Sequence, residues 1–293
     1  MDSNNLNNTD PTSTTAKATL VRPRDSFKVW LQLWLENFSV PHCAQCGQTQ
    51  KLPPPYLEGP ETVRLCYSCL ERLGCIGKQR ELLQTELLNP DHPVVIGGLW
   101  NPSLKKLIYR HKFSPNRSKQ LLNTLAGVAI TGWQQTEQHM TSLPSLSRLS
   151  KEGAILTVIP KRLPSNNLTE MHSANSDHSD SLLGLNELAK LLSAKTEIPI
   201  AAGLLNWRRP TKAQHSIFKR QERILNVAGS LQAQKMNLNP EPKTIIVLDD
   251  IRTTGATLQA ATEALKKAYP ASQIVEWAVC QIPYQAWKPS TGF

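Results

Sequence analysis

The sequence predicts an α/β protein, a parallel sheet flanked by helices, with a small cysteine-bearing module ahead of it. Three observations carry that expectation. Short apolar runs rich in branched residues alternate with segments of helical period. One such run ends in two adjacent acids followed by small and hydroxylated residues. Four cysteines fall into two C-x2-C pairs separated by 19 residues.

Taking the elements in order, residues 1–25 are rich in Asn, Thr and Ser and read as a disordered tail. Phe27, Trp30, Leu31, Trp34, Leu35 and Phe38 recur at helical spacing and predict a short amphipathic helix, placed against the next module or on a membrane surface. The helix and cysteine module together span 26–78, and the α/β domain spans 94–285. Ala154 to Pro160 and Thr244 to Leu248 resemble buried parallel strands, and Ile274 to Ile282 predicts another. Helical patterns cover 116–135, 181–194 and 256–269, the last stopped by Pro270. Strands alternating with helices specify a doubly wound parallel sheet. Residues 164–181 interrupt it with a polar run expected to be a mobile insertion. His172 and His178 lie there near Asp177 and Asp180, so a metal site is the alternative.

The chain of 293 residues, 40% hydrophobic, is long enough for an ordinary core. It has no apolar run of about 18 residues, so no membrane span is expected. The polar start, without an apolar signal segment, points to a cytoplasmic protein with reduced thiols. In that setting Cys43, Cys46, Cys66 and Cys69 read as four thiolate ligands of a structural zinc ribbon, with no position left for catalysis. Gly47, directly after Cys46, suits the positive φ such a turn requires. Cys75 and Cys280 read as buried thiols.

Of the formal net charge of +10, residues 101–130 contribute +6 and residues 208–223 contribute +5. Concentrated charge points to an anionic partner or to a solvated basic surface. Tyr109, Phe113, Trp207 and Phe218 are interleaved with it, as stacking groups for single-stranded DNA or as core.

The richest chemistry lies at 245–257. Ile245 to Leu248 form a buried strand that ends in Asp249 and Asp250. Acids are costly to bury unpartnered, and ligands of α/β sheets bind at this edge. Both carboxylates can accept hydrogen bonds from ribose hydroxyls, directly or through hydrated Mg²⁺. Arg252, Thr253, Thr254, Gly255, Ala256 and Thr257 then open a helix whose amides and dipole suit a phosphate.

Four apolar residues, two acids and T-T-G-x-T are similar to the PRPP-binding motif of type I phosphoribosyltransferases. A four-cysteine ribbon ahead of such a domain resembles the ComF/GntX family, associated with natural competence and DNA uptake. Arg209-Pro210-Thr211-x-x-Gln214 and Arg223-x-x-Asn226-Val227-x-Gly229 also resemble that family. The resemblance spans residues 41–283. It implies a type I phosphoribosyltransferase-like sheet, with Asp249 and Asp250 on the ribose and residues 252–257 on the 5-phosphate. Lys161 and Arg162, after the strand at 154–160, would meet pyrophosphate. It also implies Mg²⁺ arriving with PRPP or another phosphoribosyl ligand, and single-stranded DNA and the competence machinery as partners. Where the family carries R-G-F-N-Q, this chain has Leu183-Gly184-Leu185-Asn186-Glu187, without the arginine or the glutamine. Two functions therefore stand side by side. One is a ligand-binding factor in DNA uptake. The other is an active Mg²⁺-dependent phosphoribosyltransferase acting on an unidentified nitrogen acceptor.

Overall fold

A computed structural model describes residues 43–48, 65–78, 80, 87, 92–113, 118–161, 180–212, 217 and 219–283. The described residues all belong to one compact unit. The tail, the amphipathic helix at 26–40 and all of the insertion except its last two residues lie outside the described residues.

Four strands make a parallel sheet: β1 (Val94–Leu99), β2 (Ile155–Val158), β5 (Thr244–Arg252) and β6 (Gln273–Gln281), in the order β1-β6-β5-β2. Ile200 bridges to Leu156 on the free side of β2 and continues the parallel pairing. A separate antiparallel pair, β3 (Leu205–Trp207) and β4 (Leu231–Ala233), stands between β2 and β5 in sequence.

The central strand shows why both faces are covered. Ile246 and Leu248 join a core with Leu156, Val275 and Trp277, whereas Ile245 and Val247 join a second core with Ile274 and Ala278. Period-two alternation therefore sends apolar side chains into both layers, as a parallel sheet demands. Helices α3 (Lys119–His139) and α5 (Asp180–Thr196) supply the first layer, with α2 (Pro102–Phe113) packed on them. Helix α7 (Ala256–Ala268) supplies the second, beside β4. The remaining helices are short: α1 (Tyr67–Arg72), α4 (Leu146–Lys151) and α6 (Arg220–Val227). Among the described residues no helix is long and apolar enough to cross a membrane.

The helical patterns at 116–135, 181–194 and 256–269 correspond to α3, α5 and α7. Ser118 caps α3, its hydroxyl accepting from the Leu121 amide at 3.1 Å. Gly132 lets α3 close onto β1, since a side chain there would run into the Ile96 carbonyl. The first layer is keyed by two tryptophans. Trp133 and Trp277 meet edge to face at 5.1 Å, and the Trp277 indole donates to the Ala129 carbonyl at 3.2 Å. Trp277 is fully buried. Trp277→Ala is expected to lower unfolding free energy by about 3–5 kcal/mol, measured by chemical denaturation.

Candidate functional site

The site lies at the carboxyl edge of the sheet, where β5 runs out of apolar residues. Leu248 is completely buried and Asp249 and Asp250 follow it half-buried. The chain then turns through Gly255 at φ +78°, a left-handed conformation that favours glycine, straight into α7. Asp249 and residues 251–258 line a single hollow. Gly255 offers no side-chain cap, and the Thr254 hydroxyl meets the Ala256 amide at 3.4 Å. The helix start therefore presents backbone amides and the hydroxyls of Thr253, Thr254 and Thr257 around one concavity, the arrangement an anion requires.

The two carboxylates are electrostatically unequal. Asp249 accepts the Asp250 amide at 2.8 Å. Burial, reinforced by the neighbouring Asp250 charge, pushes the Asp249 carboxyl up to about 7 despite that bond and the nearby Lys112. Asp250 is instead paired with Lys112, whose ammonium lies 2.7 Å from its Oδ2. Burial opposes the charge on Lys112, but Asp250 and Asp249 outweigh it and hold the ammonium above its ordinary range.

Arg252 faces a different set of partners. Its guanidinium donates to Gln281 Oε1 at 2.8 Å, lies 3.8 Å from Glu276 and sits beneath Gly255. Gln281 in turn donates to the Thr253 carbonyl at 3.0 Å. Arg252 thus braces the loop through its side chain. From the other side the buried Arg223 of α6 donates to the Thr253 hydroxyl at 3.1 Å and to the Ile217 carbonyl at 2.7 Å. The phosphate-type loop is gripped by two guanidiniums, its own Arg252 and Arg223 from α6, and the loop's residues give no sign of the second.

Lys161 is exposed at the end of β2, which pairs directly with β5, the Ile159 amide donating to the Leu248 carbonyl at 3.0 Å. The Trp207 indole fixes this exit by donating to the Pro160 carbonyl at 3.0 Å. Arg162 lies outside the described residues, as does Phe218.

The cysteines converge. The sulfurs of Cys43, Cys46, Cys66 and Cys69 all lie within 4.8 Å of one another, with Cys46 and Cys66 at 3.8 Å. Four thiolates about 2.3 Å from a tetrahedral zinc have edges of about 3.8 Å, so the donor set fits that ion. Gly47 adopts φ +73°, as its position after Cys46 predicts. The Cys66 amide donates to the Cys43 sulfur at 3.3 Å and Arg72 to the Cys69 sulfur at 3.4 Å. Burial raises the Cys43 thiol, yet amide hydrogen bonds from Cys66, Cys46 and Gln45 prevail and bring it down to about 6. Cys66 and Cys69 are raised, chiefly by burial. A cation is what would let all four ionise together. Cys75 and Cys280 are fully buried, as the sequence suggests.

The basic stretches divide by role. Lys112 and Arg223 turn inward, while Arg209 donates to the carbonyls of Asn226 and Ala228, each at 3.1 Å, closing the end of α6. Tyr109 and Phe113 are 46% and 68% exposed, so these two aromatics are not core. They stack in a tilted row with Trp100, and Lys105 lies over Trp100 and Tyr109.

Asp249 yields a pH signature. Its folded-state affinity for a proton exceeds that of the unfolded chain, so the stability it contributes is present in acid and is lost as pH rises through about 7. Asp249→Asn keeps the acceptor oxygen without the charge. Thermal and denaturant unfolding at pH 5 and pH 8 are expected to show the variant gaining on the natural protein, by about 1.4 kcal/mol per pH unit at most and levelling off above about pH 7. A pH-independent difference would remove the electrostatic account.

Comparison with known proteins agrees with this geometry. Residues 182–287 match the family Phosphoribosyl transferase domain, which includes β5, the loop and α7. A stretch of 96 residues is 30% identical to adenine phosphoribosyltransferase from Corynebacterium kroppenstedtii, covering 33% of this chain and 52% of that protein. The chain thus spans about half the length of the curated relative it matches. The parallel sheet flanked by helices, the acid-ended strand and the glycine turn into α7 make this a type I phosphoribosyltransferase-like fold, carrying a four-cysteine cluster near its N-terminus.

Proposed function

We propose that the chain binds 5-phosphoribosyl 1-pyrophosphate at the 249–257 loop, as a ComF-type protein in the cytoplasm. One observation carries the reading. A strand buried on both faces ends in two carboxylates and passes through a left-handed glycine into the amides of a helix start. In this reading Asp249 and Asp250 accept the ribose hydroxyls. The amides of residues 254–257, with the hydroxyls of Thr253, Thr254 and Thr257, hold the 5-phosphate. Lys161 and Arg162 face the pyrophosphate. Mg²⁺ carried with the ligand would sit near Asp249 and Asp250 and neutralise charge on the pyrophosphate.

Ligand binding of this kind prepares a transfer. A nitrogen acceptor forms a bond to C1 as the C1–O bond to pyrophosphate breaks. The electron pair leaves with the pyrophosphate, and the nitrogen releases its proton. The protein's contribution is orientation and charge stabilisation rather than covalent catalysis. The relative's name, adenine phosphoribosyltransferase, supports a nitrogenous base as the acceptor class. The cysteine cluster is assigned to a structural zinc.

A second reading, a role in DNA uptake with the competence machinery, is favoured by the exposed Tyr109 and Phe113 beside Lys105, a face on which bases of single-stranded DNA can stack.

Calorimetric titration with Mg-PRPP is expected to give binding that Asp249→Asn/Asp250→Asn weakens by about a hundredfold or more, since two charge-assisted hydrogen bonds are lost. A double variant binding as tightly as the natural protein would sink the PRPP reading. Single-stranded DNA titrated at two salt concentrations separates the second reading, whose affinity must fall steeply with salt. Metal analysis is expected to find one zinc per chain, lost or strongly reduced in Cys66→Ser. A folded, fully loaded serine variant is incompatible with four-thiolate ligation.

A further inference from the structure

The ion pair between Lys112 and Asp250 has no part in the motif that marks the loop, yet it is the closest charged contact to the ribose-type acids. Lys112 stands near the end of α2, on an element that follows β1, and reaches β5 with its ammonium 2.7 Å from Asp250 Oδ2. Its side chain is 32% exposed and that of Asp250 is 15% exposed, so the pair is partly shielded but not sealed. An ammonium carries three N–H donors on a flexible stem, and Asp250 takes one. Arg252, a second cation beside this edge, is engaged by Gln281 and Glu276.

Ribose chemistry fixes what lies next to such a pair. The C2 hydroxyl is next to C1, so with Asp250 assigned to that hydroxyl its ammonium partner also lies near the substituent on C1. In a ribose 5-phosphate that substituent is a neutral hydroxyl. In PRPP it is a pyrophosphate. From the juxtaposition of Lys112 with Asp250, we propose that Lys112 both orients Asp250 toward the ribose hydroxyls and donates to the anionic group on C1, so that it selects pyrophosphorylated ribose over ribose 5-phosphate. This rests on the ribose-phosphate reading of the 249–257 loop. It adds a specificity residue from α2, ahead of the segment that matches the phosphoribosyl transferase family.

The test compares two ligands across three proteins, by calorimetry on the full chain. Lys112→Gln is expected to weaken PRPP by about tenfold or more, the worth of one charge-assisted contact, and ribose 5-phosphate by less than about threefold. Lys112→Arg, which keeps the charge, is expected to retain most of the preference for PRPP. Equal weakening of both ligands by Lys112→Gln, as a merely structural lysine would give, overturns the proposal, and so does unchanged PRPP affinity. Failure of the natural protein to bind either ligand overturns the reading of the loop itself and the proposal with it. A measurement on the natural protein stands beside the variants in case Lys112→Gln does not fold. Amine labelling of Lys112, followed by mass spectrometry, is expected to slow more with PRPP than with ribose 5-phosphate, and equal protection would count against the assignment.

Discussion

The constraint on which this molecule is organised is the charge at the end of β5. The strand is apolar and buried for as long as it lies between two helical layers, and it ends in Asp249, Asp250 and, two residues on, Arg252. Burying adjacent carboxylates is unfavourable unless each finds a partner. Asp250 finds Lys112, Asp249 finds the Asp250 amide, and Arg252 finds Gln281 and Glu276. The side-chain partners come from elsewhere in the chain, Lys112 from α2 and Glu276 and Gln281 from β6. The site is therefore assembled by the same packing that closes the sheet, and its geometry is only as fixed as the strand order that brings α2, β5 and β6 together.

The cysteine cluster is tied to that packing through α3. Gln120 and Thr124, in the first turns of α3, donate to the carbonyls of Gln45 and Ala44 at 3.0 and 3.3 Å. Cys43, Cys66 and Cys69 share one apolar core with α3 and with Trp277 of β6. A metal held by the four sulfurs would thus be linked to the layer that supports the sheet, and its binding free energy would enter the stability of the whole unit. Such a link would stabilise a small segment that has little core of its own.

Much of this was readable from residue order, for a physical reason. Strand β5, the loop and α7 are local: apolar run, acids, small residues and helix period follow one another within 25 residues, Thr244 to Ala268. The cysteine pairs are equally local. What the sequence does not announce is anything decided across the chain. Strand β1 is six residues whose branched run, Val94 to Ile96, is cut after three by Gly97 and Gly98. The β3–β4 pair is three residues a side. Helix α2 reads as a basic stretch because its apolar face is narrow, with Leu104, Leu107 and Ile108 buried among lysines. Lys112 and Arg223 look like surface cations in a charge count. Only the fold turns one toward Asp250 and the other behind Thr253. The one local hint for Arg223 is its place in the Arg223-x-x-Asn226-Val227-x-Gly229 run, and Asn226 itself is exchanging hydrogen bonds with Lys212.

That reassignment changes what the net charge means. A count of +10 suggests a basic surface, but cations in both basic stretches neutralise buried acid, grip a loop or close a helix end. Lys112, whose charge is offset by Asp250 in a partly shielded pair, is screened less by salt than a free surface cation and adds little to long-range steering of a polyanion. Exposed cations remain in both stretches, among them Lys106 and Arg110 on α2 and Arg208, Lys212 and Lys219 in the second, and Lys105 is the one that covers Trp100 and Tyr109 near the exposed Phe113. The small ligand and the large one would then use different cations: buried, partnered and precisely placed ones at the end of β5, exposed and aromatic-backed ones on α2. Because Lys112 and Phe113 are consecutive on that helix, the two surfaces share an element.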